Sequence, residues 1–567
     1  MATLLVITIL IPLIAGLGTA FAPALSRDQA RKIALGTVVV TLGLSLILLV
    51  GFRPEVHGPQ FAFQSLDGHY GLSWIEKPNI RLAFGLDGLS LWLFVLTSIL
   101  MITAVCASWE SIGERAPQYY GFLLALQTGL LGLFASLDVV LFYIFFEFTL
   151  IPLFFLIGLW GGPKRKKAAV TFFLYTLAGS LLTLLGVIAL VAVHYQYSKG
   201  HILTFSIPEL TSGLKVIEWD AWYDTGSWTS PQVLIFMLLL AGFAIKVPMF
   251  PFHTWLPLAH VEAPTAGSIV LAGVLLKVGT YGLMRFNLGM TPRGAEAMFP
   301  LIAVMAVAGV IYGALAALAQ TDVKRLVAYS SVSHMGFIVL GIFAFNATGL
   351  DGAVIQQINH GLTTGALFAC VGMVYERYHT RELAQMGGLW NRFPLLAFFF
   401  MMAAMGSAAV PGLCGFTGEF PILVGTFGVA PRTAVLAATG MILGAAYLLW
   451  MLCKLLFGPL KEPGGHDAHP GETGHGGHTS IPGIAWYEIA GLSPLLVLIV
   501  LIGVYPPPFL DQSKQGVAKL VTELPPQAGV TVPSTHDLAR APGGPKPLIA
   551  TAAATTPMAA ASPGDRP

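Results

Sequence analysis

A chain of 567 residues with a mean hydropathy of +0.76, 55% hydrophobic and only 10% charged, departs from soluble proteins, in which about 25% of residues carry charge. Its formal net charge is +2 and no basic run exceeds Lys164 to Lys167, which gives nucleic acid nothing to bind. These values exclude a soluble enzyme or a nucleic-acid partner and predict an all-α integral membrane protein.

In chain order, fourteen apolar stretches are long enough to cross a bilayer, which takes roughly 20 helical residues each. They fall near 2–22, 32–51, 84–107, 118–136, 138–160, 168–194, 230–258, 266–286, 297–319, 323–345, 350–375, 394–428, 431–456 and 486–505. No Lys or Arg precedes Arg27, so the first stretch is expected to be a retained helix, although Ala20-Phe21-Ala22 resembles a cleavage site. The loops near 52–83 and 195–229 are too short for independent folds, and residues 1–510 read as one polytopic domain. The Gly- and His-rich loop 462–480 and the Pro- and Ala-rich tail 511–567 read as flexible, and the histidine spacing in the loop matches no rigid metal motif.

Loops after odd-numbered spans hold fourteen Lys and Arg residues, and the opposite loops hold seven. Positive-inside bias then puts both termini on the periplasmic side of a bacterial inner membrane. Cys106, Cys370, Cys414 and Cys453 sit singly inside helices with no Cys-x-x-Cys pair, against a disulfide framework or an iron-sulfur site.

Spans 4 to 8 (118–286) and 9 to 13 (297–456) are two runs of five, and because five is odd the second run enters from the opposite face. The fourth span of each run is long, is interrupted by proline (Pro248 and Pro251, then Pro411) and carries one charge (Lys246, then Glu419). Paired interrupted helices in corresponding positions mark an inverted-repeat transporter. Each proline lacks a backbone donor, and the carbonyl it frees is tolerated at membrane depth only where protein or water satisfies it. The broken segments are therefore expected to line hydrated pockets.

Of 30 basic and 28 acidic side chains, four fall deep inside predicted spans: Glu147, Lys246, Lys277 and Glu419. Each costs at least about 2.5 to 3.5 kcal/mol at the bilayer centre. Glu147 and Lys246 have opposite signs at similar depth and are expected to pair. A static pair would account for those two but leaves Lys277 and Glu419 unexplained. At about 4 Å and an effective dielectric near 20 the attraction within such a pair is about 4 kcal/mol, enough for its opening or closing to switch the lysine between holding and releasing a proton.

His334 and His360 lie about thirteen residues either side of the turn at Asn346 and Ala347, so antiparallel helices would hold the two rings at equal depth. A proton relay, a haem held by two axial histidines, and ordinary core histidines all fit one such pair. The four buried charges have no part in haem binding, and Ser330, Ser331, Ser333, Thr363 and Thr364 are placed to hold water, which favours the relay.

The stretch from Lys246 through Pro248, His253-Thr254-Trp255-Leu256-Pro257, Ala259-His260 and Ala263-Pro264 to Ser268, followed by Leu275-Leu276-Lys277-Val278-Gly279, resembles the core signature of the antiporter-like membrane subunits of respiratory complex I. The resemblance runs from Gly85-Leu86-Asp87-Gly88-Leu89-Ser90 to the thirteenth span and takes in Phe146-Glu147-Phe148, Asp322 through Gly336, and His360-Gly361. It implies two inverted five-helix bundles with helices 7 and 12 broken, in a proton-pumping subunit of NADH:quinone oxidoreductase. In that setting Glu147 and Lys246 form an interacting pair, Lys277 is the central carrier, His334 and His360 are the link, and Glu419 is the exit-side carrier. Glutamate at 419, where other members have lysine, and fourteen spans without a long lateral helix single out one branch. The resemblance also implies that flavin, iron-sulfur clusters and the quinone site belong to partner subunits, with no cofactor in this chain, and that its partners are the other membrane subunits, lipid and protons. A subunit of a multi-subunit sodium/proton antiporter, a membrane-bound hydrogenase relative and a ferredoxin-driven relative share these motifs.

Overall fold

The computed structural model describes residues 1–22, 25–65, 68–198, 200–215, 230–463, 483–522 and 524. The chain opens with α1 (Ala2–Ala20) and α2 (Arg27–Gly51), then an exposed antiparallel hairpin of β1 (Leu72–Ile75) and β2 (Ile80–Leu82). The first half continues with α3 (Leu91–Ala107), α4 (Ala116–Ala135), α5 (Val139–Phe148), α6 (Leu150–Trp160), α7 (Arg165–Tyr197), α8 (Ile207–Lys215), α9 (Pro231–Lys246), α10 (Trp255–Glu262), α11 (Thr265–Val270) and α12 (Leu276–Gly282). π-Helical turns at Leu271–Leu275 and Leu283–Leu288 flank α12. The second half holds α13 (Pro292–Leu318), α14 (Val323–Ile342), α15 (Ala347–Tyr378), the short α16 (Leu389–Arg392), α17 (Pro394–Ser407), α18 (Cys414–Val429), α19 (Pro431–Leu456), α20 (Trp486–Val504), α21 (Pro507–Asp511) and α22 (Lys514–Thr522).

Nine helical segments among the described residues, with Val139–Trp160 and Thr265–Leu288 each taken as one, are long and apolar enough to cross a membrane, and α3, α9, α17 and α18 are shorter apolar helices. The chain is a multi-pass membrane protein. Burial is graded: Thr265–Leu288 is enclosed by protein, whereas α1 and α20 leave most of their surface open. Polar caps satisfy the backbone donors at several helix starts. Asp138 Oδ1 accepts from Val140 N at 2.8 Å, Asp322 Oδ1 from Arg325 N at 2.9 Å, and Asn346 Oδ1 from Gly349 N at 2.9 Å.

Both proline-interrupted spans are broken. The first separates α9 from α10 at residues 247–254, and each freed group finds a partner there. Pro248 has no N–H for the Ala244 carbonyl, which accepts from Met249 N at 2.9 Å instead. The Ile245 carbonyl, thereby left over, accepts from the Trp255 indole at 2.9 Å. The second break lies between α17 and α18 at residues 408–413, where Ala409 takes a left-handed φ of 54° that a non-glycine residue adopts only at a cost. Close packing around the breaks depends on absent side chains: a Cβ on Gly425 would stand 2.4 Å from Gly349 N, and one on Gly242 would stand 2.4 Å from the Gly179 carbonyl.

Several boundaries differ from expectation. The stretch 84–107 is helical only from Leu91, because Asp87 caps the chain into a turn first. The stretch 138–160 is two helices meeting at Thr149. The tail expected to be flexible from 511 folds as α22, whose Val517 and Leu520 are buried. The remainder of that tail and most of the 462–480 loop lie outside the described residues; Glu462, at the start of that loop, accepts from the Tyr378 hydroxyl at 2.9 Å.

Candidate functional site

Four of the six singled-out residues meet along one line through the protein interior. Lys277 is held on α12 between the two π-helical turns, irregularities that recur at functional sites. Its Nζ donates to the Ala272 carbonyl at 2.6 Å and lies 2.7 Å from His360 Nδ1. The His360 ring stands 5.7 Å from the His334 ring, centre to centre. His334 Nδ1 in turn lies 2.7 Å from Glu419 Oε1. All four side chains are buried.

The equal-depth arithmetic for the two histidines holds because Asn346 caps α15 and keeps the turn from α14 short. The His334 Nε2 atom has two further neighbours, the Ser407 and Tyr447 hydroxyls, each at 3.2 Å. Glu419 Oε1 also accepts from Gln356 Nε2 at 3.0 Å. One turn along α15, Asn359 Nδ2 donates to the Cys414 carbonyl at 2.6 Å, tying α15 to the start of the helix that carries Glu419. Thr280 beside Lys277 donates to Gln357 Oε1 at 2.7 Å. These neutral partners have no periodic or charge signature in the sequence, and only the fold gathers them.

Glu147 and Lys246 behave differently from expectation. Lys246 is buried at the end of α9, yet its Nζ and Glu147 Oε1 have no hydrogen-bond partner among the described residues. The ammonium instead lies 4.5 Å from the centre of the Phe146 ring, the residue next to Glu147. The turn of α5 presents the ring to the lysine and leaves Glu147 half-buried beside exposed Ile144 and Ile151. The pair is thus open in this structure.

Burial also extends beyond the four charges picked from the sequence. Asp138, Glu262, Lys324 and Glu488 are buried as well, at the ends of spans where loops close over them. Lys324 Nζ donates to the Ala263 carbonyl at 2.5 Å, and Glu488 forms a two-armed bridge to Arg377 with contacts of 2.8 and 2.7 Å. His260, with both ring nitrogens unpartnered among the described residues, stacks flat on Phe368 at 4.6 Å. Among the described residues no three His, Cys, Asp or Glu side chains are grouped to hold a metal ion.

Broken membrane helices around a buried row of lysine, histidine and glutamate define an antiporter-like class of membrane protein, and the chain belongs to the NADH:quinone oxidoreductase/Mrp antiporter transmembrane family, whose profile matches residues 136–444. Within it, the chain is 41% identical over 513 residues to the NADH-quinone oxidoreductase subunit M of Rhodobacter capsulatus, a match spanning 90% of this chain and 94% of that relative. Other relatives of this branch are called chain 4. The backbone is similar to a chain of respiratory complex I from Thermus thermophilus with bound NADH, at a TM-score of 0.75 and 29% identity over 91% of this chain and 99% of that one. It shares its fold with a chain of the Mrp complex from a Dietzia species, at a TM-score of 0.75 and 22% identity over 92% and 97% of the two chains.

Proposed function

We propose that this chain is a membrane subunit of a proton-translocating NADH:quinone oxidoreductase and that protons cross it along Glu147, Lys246, Lys277, His360, His334 and Glu419. The observation that carries this reading is the Lys277, His360, His334, Glu419 series, with 2.7 Å contacts at both ends and 5.7 Å between the ring centres, where His360 Nε2 has no hydrogen-bond partner among the described residues and faces the one gap a proton must cross. Lys277 donating to His360 Nδ1 requires that nitrogen to be bare. A ring that accepts a proton there can release its other one from Nε2, and it passes charge onward without turning over. His334 presents Nδ1 to the carboxylate, so a proton arriving on His334 has Glu419 as its next acceptor. At the other end, Lys246 resting on the Phe146 ring is the open state of a switch, and its movement toward Glu147 would close it.

The arrangement proposed around this row is fourteen crossings in two inverted five-helix repeats. α9 with α10 counts as one crossing, and α17 with α18 as another. Both termini then lie on the periplasmic side of a bacterial inner membrane. Oxidation of NADH, flavin, iron-sulfur clusters and quinone reduction are assigned to partner subunits, and this chain supplies proton movement to the enzyme they form together. The reading as a subunit of a sodium/proton antiporter is supported by the fold shared with the Mrp complex and by a family that takes in Mrp antiporters; the higher identity to subunit M favours the oxidoreductase.

NADH-driven acidification of inverted membrane vesicles tests the reading in Glu147→Ala and Glu419→Gln, with assembly checked on native gels. Normal assembly with collapse of both pumping and coupled quinone reduction is expected. Normal assembly with unchanged pumping would reduce the buried charges to structural roles.

A further inference from the structure

The helix that carries Lys277 ends, two turns later, in a second charged cluster. Arg285, in the π-helical turn Leu283–Leu288, donates from Nη2 to Asp87 Oδ2 at 2.6 Å and from Nε to the Tyr281 hydroxyl at 3.2 Å. Its guanidinium lies 5.1 Å from the centre of the Tyr281 ring. Tyr281 follows Lys277 by four residues, which places the two one turn apart on one side of the helix. Asp87 is itself fixed, because its Oδ1 accepts from the Leu89 and Ser90 backbone N–H groups, both at 3.1 Å.

A cavity of about 580 Å³ reaches this pair, with walls that include Phe52, His57, Gln512 and Lys519. It opens on the face where Met1 meets Gly51 and where α22 lies. Asp87 and Arg285 each keep 18% of their side chains exposed. Solvent entering from that face therefore meets the Asp87–Arg285 ion pair two turns short of Lys277.

We propose that Arg285, positioned by Asp87, is an electrostatic seal that stops this cavity from exchanging protons directly with Lys277. The inference rests on Lys277 being a proton carrier. A guanidinium keeps its proton at any physiological pH, so Arg285 cannot relay one. Its charge instead raises the energy of a hydronium beside it, as arginines do in pores that exclude protons. The need for a seal follows from the row: Lys277 hands its proton sideways to His360, and an opening to the cavity would let it escape before it reached Glu419. Capping α3 does not explain the arginine, because Asp87 makes that cap with Oδ1 alone and meets Arg285 with Oδ2.

The test uses vesicles holding the whole assembled complex, an imposed pH gradient and no NADH. Arg285→Gln is expected to raise passive proton leak about tenfold, the effect of one charge acting over about one helix turn or two in a partly hydrated site. Adding Lys277→Ala is expected to return the leak to its original level, and Arg285→Lys, which keeps the charge, is expected to stay near it. A leak unchanged in assembled Arg285→Gln overturns the seal, and so does a raised leak that Lys277→Ala does not suppress. If Arg285→Gln fails to assemble, Arg285→Gln combined with Asp87→Asn removes both charges, keeps a cap acceptor and strands no buried carboxylate. A raised leak is expected there too, and an unchanged leak in the assembled double variant overturns the proposal. NADH-driven pumping by Lys277→Ala alone, measured in the same vesicles, judges the row separately: pumping retained there sinks the row, whatever the leak measurements give for the seal.

Discussion

The two broken spans carry the same device in opposite conditions. At the first, Lys246 has no hydrogen-bond partner among the described residues and rests on the face of Phe146. At the second, Glu419 is held by His334 at 2.7 Å and Gln356 at 3.0 Å. A buried charge costs several kcal/mol to desolvate, and a hydrogen-bonded partner offsets part of that cost. The first charge is therefore the less well satisfied of the two and the second the better held. On the proposed function, this contrast fits a switch at the α9–α10 break and a holding site at the α17–α18 break.

The strongest way to break this comparison is to cut the connection between its halves. Lys277→Ala removes the group that contacts His360, and NADH-driven pumping in assembled vesicles is expected to fall about a hundredfold, in the range of a lost acid–base group. Next in size is a pair of apolar replacements with unequal effects on stability. Glu419→Leu strands buried His334 and Gln356 and is expected to lower the stability of the solubilised complex by about 3 kcal/mol. Lys246→Met removes a charge that has no hydrogen-bond partner among the described residues and is expected to leave stability unchanged or raise it by about 1 kcal/mol, while still abolishing pumping. Thermal unfolding in detergent reads both, and equal destabilisation would erase the distinction between switch and holding site.

Phe146→Leu takes the aromatic face from under Lys246 at a cost of about 1 to 2 kcal/mol. Pumping is expected to fall no more than about tenfold, because the resting position is weakened and the switch itself is retained. Ser407→Ala removes one of two hydroxyls near His334 Nε2; with Tyr447 still in place, the expected loss is about 1 kcal/mol or less in stability and a small decrease in pumping rate.

The features legible in the sequence were those that backbone chemistry or spacing fixes. Pro248 and Pro251 mark a helix break whatever surrounds them, and the turn at Asn346 sets the relative depth of His334 and His360 before any tertiary contact is known. The expected contact between Glu147 and Lys246 depends instead on how far α5 and α9 are rotated about their axes, and one residue of difference substitutes Phe146 for Glu147. Gln356, Asn359, Ser407 and Tyr447 were missed for a related reason: they are neutral groups whose meaning comes only from the helices placed opposite them. The burial of Glu262 and Lys324 was missed because loops, which hydropathy treats as open to water, fold over the ends of the spans.

The hairpin of α14 and α15 has one further implication, for biogenesis. α14 is the least apolar of the nine long candidate spans, and α15 brings Gln356, Gln357, Asn359 and His360 into the interior. Such helices partition poorly into lipid alone. α15 is covered here by α3, made early, and by α17, α18 and α20, made after it, while α14 packs chiefly on α13, made before it, and on α18. The hairpin that contains the centre of the row therefore reaches its final depth only once the later helices have been inserted, and a chain cut short before α18 would present it uncovered to the proteases that clear unfinished membrane proteins.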